Sequence, residues 1–160
     1  GRAIAVPSQD MVLGSFYLTL DKPGEPGEGK TFRDFDEAMM AYENGLLGLH
    51  APIKVRVTKE IDGVVHSGVI DATLGRLIFN QQIPQDLGFV DRTVDPYALE
   101  VDFLCDKKKL GQIIDKCYRL HGNTGTAIML DYIKDMGFHA KDEWKSILDG
   151  TSELYEKEEK

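Results

Sequence analysis

The stretch 53–70, IKVRVTKEIDGVVHSGVI, constrains the fold more than any other part of the chain. Ile53, Val55 and Val57 alternate with Lys54, Arg56 and Thr58. A period of two turns successive side chains to opposite faces, the pattern of a strand with one side buried. Asp62-Gly63 then supplies a residue pair that tolerates the left-handed backbone of a tight hairpin turn, so Val64 to Ile70 returns antiparallel. A lone hairpin is barely stable in water, and its apolar face needs helices packed against it.

The flanking sequence supplies them. Ser8 is a helix cap, with Pro7 just outside and Asp10 in the positive first turn; Leu13, Phe16, Tyr17 and Leu20 follow on one helical face. The Pro- and Gly-loaded DKPGEPGEGK predicts an exposed loop. Asp34 caps a second helix and Glu37 closes a capping box, with Ala38, Met39 and Tyr42 inward and Asn44-Gly45 as the stop. Beyond the hairpin, Thr73 caps a short helix carrying Arg76, Leu77 and Asn80. From Pro84 to Pro96 the chain is irregular, with Leu87, Phe89 and Val90 available to pack. Leu110, Ile113, Ile114 and Cys117 form a further helical stripe. HGNTG is a turn into a helix with Ile128, Met129, Ile133 and Met136 inward, ended by Gly137. The acidic tail DGTSELYEKEEK is poor in apolar residues and reads as frayed. The fold class is a single α+β domain, a small antiparallel sheet with a hairpin surrounded by helices.

Composition narrows the function. At 160 residues and 42% hydrophobic, the chain holds one modest core. Its net charge of −8 repels phosphate backbones, so independent nucleic-acid binding is not expected. Two basic clusters, Lys54/Arg56/Lys59 and Lys107-Lys108-Lys109, read as solvated charge. No apolar run approaches a membrane span and no secretory pattern opens the chain, so the expected compartment is the cytoplasm. Gly1 stands where an initiator methionine would, which suggests a stretch cut from a longer chain. Cys105 and Cys117 cannot build a disulfide framework or a four-ligand zinc site, and Cys117 reads as a small buried hydrophobe. His50, His66, His121 and His139 make no H-E-x-x-H pair, and no P-loop, G-x-G-x-x-G or G-x-S-x-G motif occurs. HGNTGT could cradle a phosphate on a helix N-terminus, but a plain helix-to-helix turn is the reading adopted. No catalytic residue, metal ligand or cofactor site is expected.

The opening stretch GRAIAVPSQDMVLGSFYLT resembles a segment of the largest catalytic, or beta-prime, subunits of bacterial RNA polymerase. Further similar blocks follow in order: GEGKTF, EAMMAYENG, LHAPIKVRV, ATLGRLIFNQQIP and LDYIKDMGF. Together they cover residues 1–138. Ala3 and the stretch Ala72-Thr73-Leu74-Gly75-Arg76 depart mildly from the family pattern. After Phe138, HAKDEWKSILDGTSELYEKEEK does not follow it, and no family inference extends there.

The resemblance implies that residues 1–20 leave the catalytic barrel, that 21–138 form the pore (funnel) domain, and that 139–160 are an acidic tail, helical or frayed. That domain would form part of the wall of the secondary channel, where nucleoside triphosphates enter and the RNA 3′ end is extruded. Gln9 matches the position nearest the incoming nucleotide. His50, Lys54 and Arg56 match a channel-lining strand entry. Ser8, Asp10, Thr73, Arg76 and Asn80 match structural motif positions. The family's magnesium-holding aspartates lie upstream of Gly1, so the stretch itself is expected to hold no Mg2+ and to do no catalysis. Implied partners are the beta and alpha subunits and the remainder of beta-prime, with nucleoside triphosphates and the RNA 3′ end in the intact enzyme. The alternative is a free-standing, diverged pore-domain protein acting as an interaction module on RNA polymerase.

Overall fold

The computed structural model of the chain describes residues 6–144. Helix α1 (Gln9–Thr19) is its spine. Ser8 stays extended and its hydroxyl oxygen accepts the Met11 N–H at 3.3 Å, while Asp10 sits in the first turn against the positive helix end. The sequence predicts one apolar face, but Met11, Val12, Phe16, Tyr17 and Leu18 are all buried and Leu13 only partly so. A helix enclosed on most sides is a core helix, and here the other elements are laid around it.

After the exposed loop comes a two-residue strand, β1 (Thr31–Phe32), which the sequence pattern does not announce. Helix α2 (Phe35–Glu43) follows. Asp34 accepts the Glu37 N–H at 2.8 Å, and Glu37 reaches back to the Arg33 N–H at 2.7 Å, one residue outside the cap. Gly45, at φ 74°, stops the helix by donating to Tyr42, with Leu46 donating to Ala41.

Strands β2 (Ile53–Ile61) and β3 (Val64–Ala72) pair antiparallel, Ile61 opposite Val64. Asp62 and Gly63 both take positive φ, 52° and 79°, as a right-twisting two-residue hairpin requires. β1 lies parallel to β2, Thr31 opposite Lys54, so the sheet is a mixed one of three strands. Only its base is covered. Ile53, Val55, Ile70 and Ala72 are buried, whereas Ile61, Val64 and Val65 at the far end are exposed.

Thr73 caps α3 (Leu74–Asn80) by accepting the Arg76 N–H at 3.1 Å. The last helix, α4 (Lys107–Trp144), is broken at Gly122, whose φ of 69° and ψ of −165° are non-helical. That is the turn expected from HGNTG, narrowed to one residue. Two expectations fail beyond it. Ile128 is 59% exposed, and Met129, Leu130 and Ile133 line the core instead. The helix also runs through Gly137, which keeps ordinary helical φ and is there because α1 crosses at that point: a Cβ on Gly14 would lie 2.7 Å from the Gly137 Cα. The residues of the acidic tail after 144 lie outside those described.

Candidate functional site

Gln9 is the first residue of α1 and is exposed. Its amide therefore stands at the positive end of a capped helix, where donors face outward and negative charge is favoured. Pro7 and Ser8 fix where the helix begins, and the buried Met11 and Val12 hold the first turn against the core.

Lys54 and Arg56 share the outer face of β2, as the alternation predicts, and both are exposed. Lys54 pairs with Asp71 directly across the ladder at 2.7 Å, and Arg56 donates to the Ser67 hydroxyl at 3.3 Å. Lys59 belongs to the opposite face. Burial lowers its pKa below the ordinary lysine value, the Arg92 charge adds to this, and Asp95 and Glu100 oppose it. The basic cluster read from sequence is thus divided between two sides of the ribbon.

His50 is not on that outer surface. Its ring is 3% exposed, stacked edge-on against Tyr17 with centroids 4.7 Å apart. Nε2 lies 2.9 Å from the Tyr17 carbonyl oxygen, which can only accept, so Nε2 carries a proton. Nδ1 faces Glu25 at 3.3 Å, and the other Glu25 oxygen accepts the His50 backbone N–H at 2.9 Å. His50 therefore ties the Gly-rich loop to the end of α1, behind the face that Lys54 and Arg56 present.

Arg76 and Asn80 lie on one face of α3. Arg76 Nε donates to the Thr19 carbonyl at 2.8 Å, and Nη1 stands 3.8 Å from Asp102. Asn80 forms a two-way bridge to Val101, donating to its carbonyl at 3.0 Å and accepting its N–H at 3.1 Å. Gln85 extends this bridge by donating to Asn80 at 3.0 Å and accepting the Glu100 N–H at 3.0 Å. Glu100 in turn accepts from the Phe89 N–H at 2.9 Å and from Arg92 at 3.1 Å. This network replaces secondary structure across residues 81–103. Its acidic centre, Glu100, carries no sequence signal, because one glutamate among many announces nothing about burial.

Between the Gly-rich loop, the base of the hairpin and α3 lies a cleft of about 310 Å³. Asp21, Glu28, Asp71 and Asp102 line it together with Lys54 and Arg76. The Asp102 carboxyl is raised above the usual aspartate range, chiefly by burial; Arg76 opposes this, and Asp71 and Asp95 add to it. With carboxylates outnumbering cations, the cleft disfavours a polyphosphate. The two thiols are inert: burial pushes both Cys105 and Cys117 above the ordinary cysteine value. Among the described residues, no three His, Cys, Asp or Glu side chains gather in a metal-holding group. No helix among them is long and apolar enough to cross a membrane.

The described residues thus form a capped spine helix carrying the exposed Gln9, and a hairpin whose outer face presents Arg56 beside the Lys54–Asp71 pair. Residues 1–141 match the family described as RNA polymerase Rpb1, domain 3, and the chain belongs to it. It is 60% identical over 141 residues to the DNA-directed RNA polymerase subunit beta′ of Clostridium acetobutylicum, covering 87% of this chain and 12% of that protein. The corresponding subunits of Alkaliphilus oremlandii and Acetivibrio thermocellus are both 59% identical, over 138 and 141 residues, covering 86% of this chain and 12% of each. The chain thus spans about 12% of the length of the relatives it matches. The family match ends where the sequence departs from the family pattern, shortly after Phe138.

Proposed function

We propose that this domain forms part of the wall of the secondary channel of a DNA-directed RNA polymerase and is non-catalytic by itself. The observation that carries the reading is the start of α1, where an exposed Gln9 stands on a rigidly capped and buried helix within the family-matched region. In the assembled enzyme Gln9 donates to phosphate oxygens of the incoming nucleoside triphosphate, without adding a charge that would trap it. Arg56, exposed on the outer ribbon face, supplies diffuse attraction for polyanions passing along the wall, while the charge of its neighbour Lys54 is offset by Asp71. Ser8 and Asp10 start the helix that carries Gln9, and His50, Thr73, Arg76 and Asn80 hold this surface in place from behind. The remainder of beta-prime and the beta and alpha subunits complete the enzyme, in the cytoplasm, and the catalytic Mg2+ is held by ligands outside this stretch.

The test is single-nucleotide addition by a polymerase whose beta-prime subunit carries this sequence, with Gln9→Ala against wild type. Losing one hydrogen bond to a charged phosphate costs about 1.5–3 kcal/mol, which is a loss of about tenfold to somewhat over a hundredfold in kcat/KM. Gln9→Arg should be much milder. Wild-type kinetics for Gln9→Ala across the nucleotide range would remove Gln9 from the site.

A further inference from the structure

We infer that Gly137 is a positioning residue for nucleotide handling, acting through the first turn of α1 that carries Gln9. The inference rests on the role given to Gln9 above.

Helices α1 and α4 meet backbone to backbone. A Cβ placed on Gly137 would lie 2.8 Å from the Asp10 carbonyl oxygen, 3.4 Å from the Asp10 carbonyl carbon and 3.8 Å from the Met11 Cα. These atoms belong to the two residues that directly follow Gln9. A Cβ on Gly14 would in turn lie 2.7 Å from the Gly137 Cα and 3.4 Å from its nitrogen. Because every atom met is backbone, no rotamer change relieves the contact. Carbon–carbon contacts settle at about 3.5–4.0 Å and carbon–oxygen contacts at about 3.3–3.6 Å, so a methyl group at either position drives the helices apart by roughly 0.5–1 Å.

The displacement is unequal along α1. Its far end is tied down: Arg76 Nε donates to the Thr19 carbonyl at 2.8 Å, His50 Nε2 donates to the Tyr17 carbonyl at 2.9 Å, and the Cys105 N–H donates to the Thr19 hydroxyl at 2.8 Å. Gly75 of α3 also sits directly against the Leu18 carbonyl. The end carrying Gln9 is seated by the buried Met11 and Val12 and by its contact with Gly137. A group at residue 137 therefore tilts α1 about its fixed C-terminal end and moves Gln9 farthest. The Gly137 backbone is ordinary helix, so its φ does not require glycine. Proximity to α1 does.

The experiment is a double-mutant cycle in the intact polymerase, measuring kcat/KM for single-nucleotide addition by wild type, Gly137→Ala, Gln9→Ala and the pair. Gly111→Ala is the control, since that α4 glycine has open space where its Cβ would be. A displacement of roughly 0.5–1 Å predicts a loss of about tenfold for Gly137→Ala, none for Gly111→Ala, and no further loss when Gly137→Ala is added to Gln9→Ala. If Gln9→Ala is impaired while Gly137→Ala is not, or if the two losses multiply, the inference falls and the role of Gln9 stands. If Gln9→Ala is itself silent, the role of Gln9 falls first. Should Gly137→Ala not assemble, Gly14→Ala presses the same contact from the other helix and is expected to show a smaller loss with the same dependence on Gln9. Failure of both variants to assemble would make the contact a requirement of the fold alone and overturn the inference.

Discussion

Replacing Arg92 by methionine tests whether the 81–103 segment is held by its polar network or merely lies over the core. The Glu100 side chain is 1% exposed and is paired with Arg92 at 3.1 Å. The same guanidinium also donates to the carbonyls of Ala98 at 2.5 Å and Gln85 at 3.2 Å. Methionine keeps most of the apolar stem and removes every one of these donors. Glu100 is then left buried with the Phe89 N–H as its remaining direct partner, while Lys59 offers only longer-range attraction. Stranding a buried charge costs about 3–5 kcal/mol, and the attraction of Lys59 puts the expectation near the lower end. For a chain of this size about 3 kcal/mol corresponds to a fall of roughly 6–12 °C in Tm. Urea and thermal unfolding followed by circular dichroism measure it. The double variant Arg92→Met/Glu100→Leu should recover most of the loss, because a buried pair exchanged for apolar groups is close to neutral. A single-variant loss under about 1 kcal/mol, the range of exposed ion pairs, would refute the reasoning.

Further expectations concern the cleft and the thiols. Partial burial raises the pKa of Asp102, whose side chain remains 51% exposed, so the folded state binds its proton slightly more tightly than the unfolded state and the effect on stability is small. Wild-type stability therefore falls as pH rises from the ordinary aspartate value through the raised one. Asp102→Asn should melt at the wild-type temperature at pH 3 and slightly above it at pH 7; a lower melting temperature than wild type at pH 7 would contradict this. Cys105 and Cys117 are buried and their thiolates disfavoured, so a thiol reagent at pH 8 should label them only as fast as the chain opens. Rapid labelling under native conditions would contradict the packing of α4.

Local chemistry made much of this fold legible. Ser8, Asp34 and Thr73 each cap the helix they were expected to cap, and Asp62-Gly63 makes the expected hairpin, because caps and tight turns depend on a few adjacent residues. What failed to show were features set by distant parts of the chain. Gly137 carries the same local signal as a helix stop, and only the crossing of α1 explains it as a contact residue. Ile128 fits the helical period but falls on the outer side beyond the Gly122 break, which resets the phase of the stripe. His50 sits just before the exposed cations Lys54 and Arg56, yet the pull of Glu25 and Tyr17, distant in sequence, turns it inward. Family resemblance rather than periodicity points to Gln9; the structure adds that it stands exposed on the capped end of a buried helix.

As proposed above, the start of α1 lies beside the incoming nucleotide. The most direct measurement is photo-crosslinking, in a halted elongation complex of a polymerase carrying this sequence, with a nucleoside triphosphate that bears a photoreactive group on its terminal phosphate. Adducts are then mapped by mass spectrometry. Adducts are expected on the peptide containing Gln9, dependent on the templated base and diminished by unlabelled nucleotide. Adducts confined to other segments of the enzyme, with none on that peptide, would contradict it.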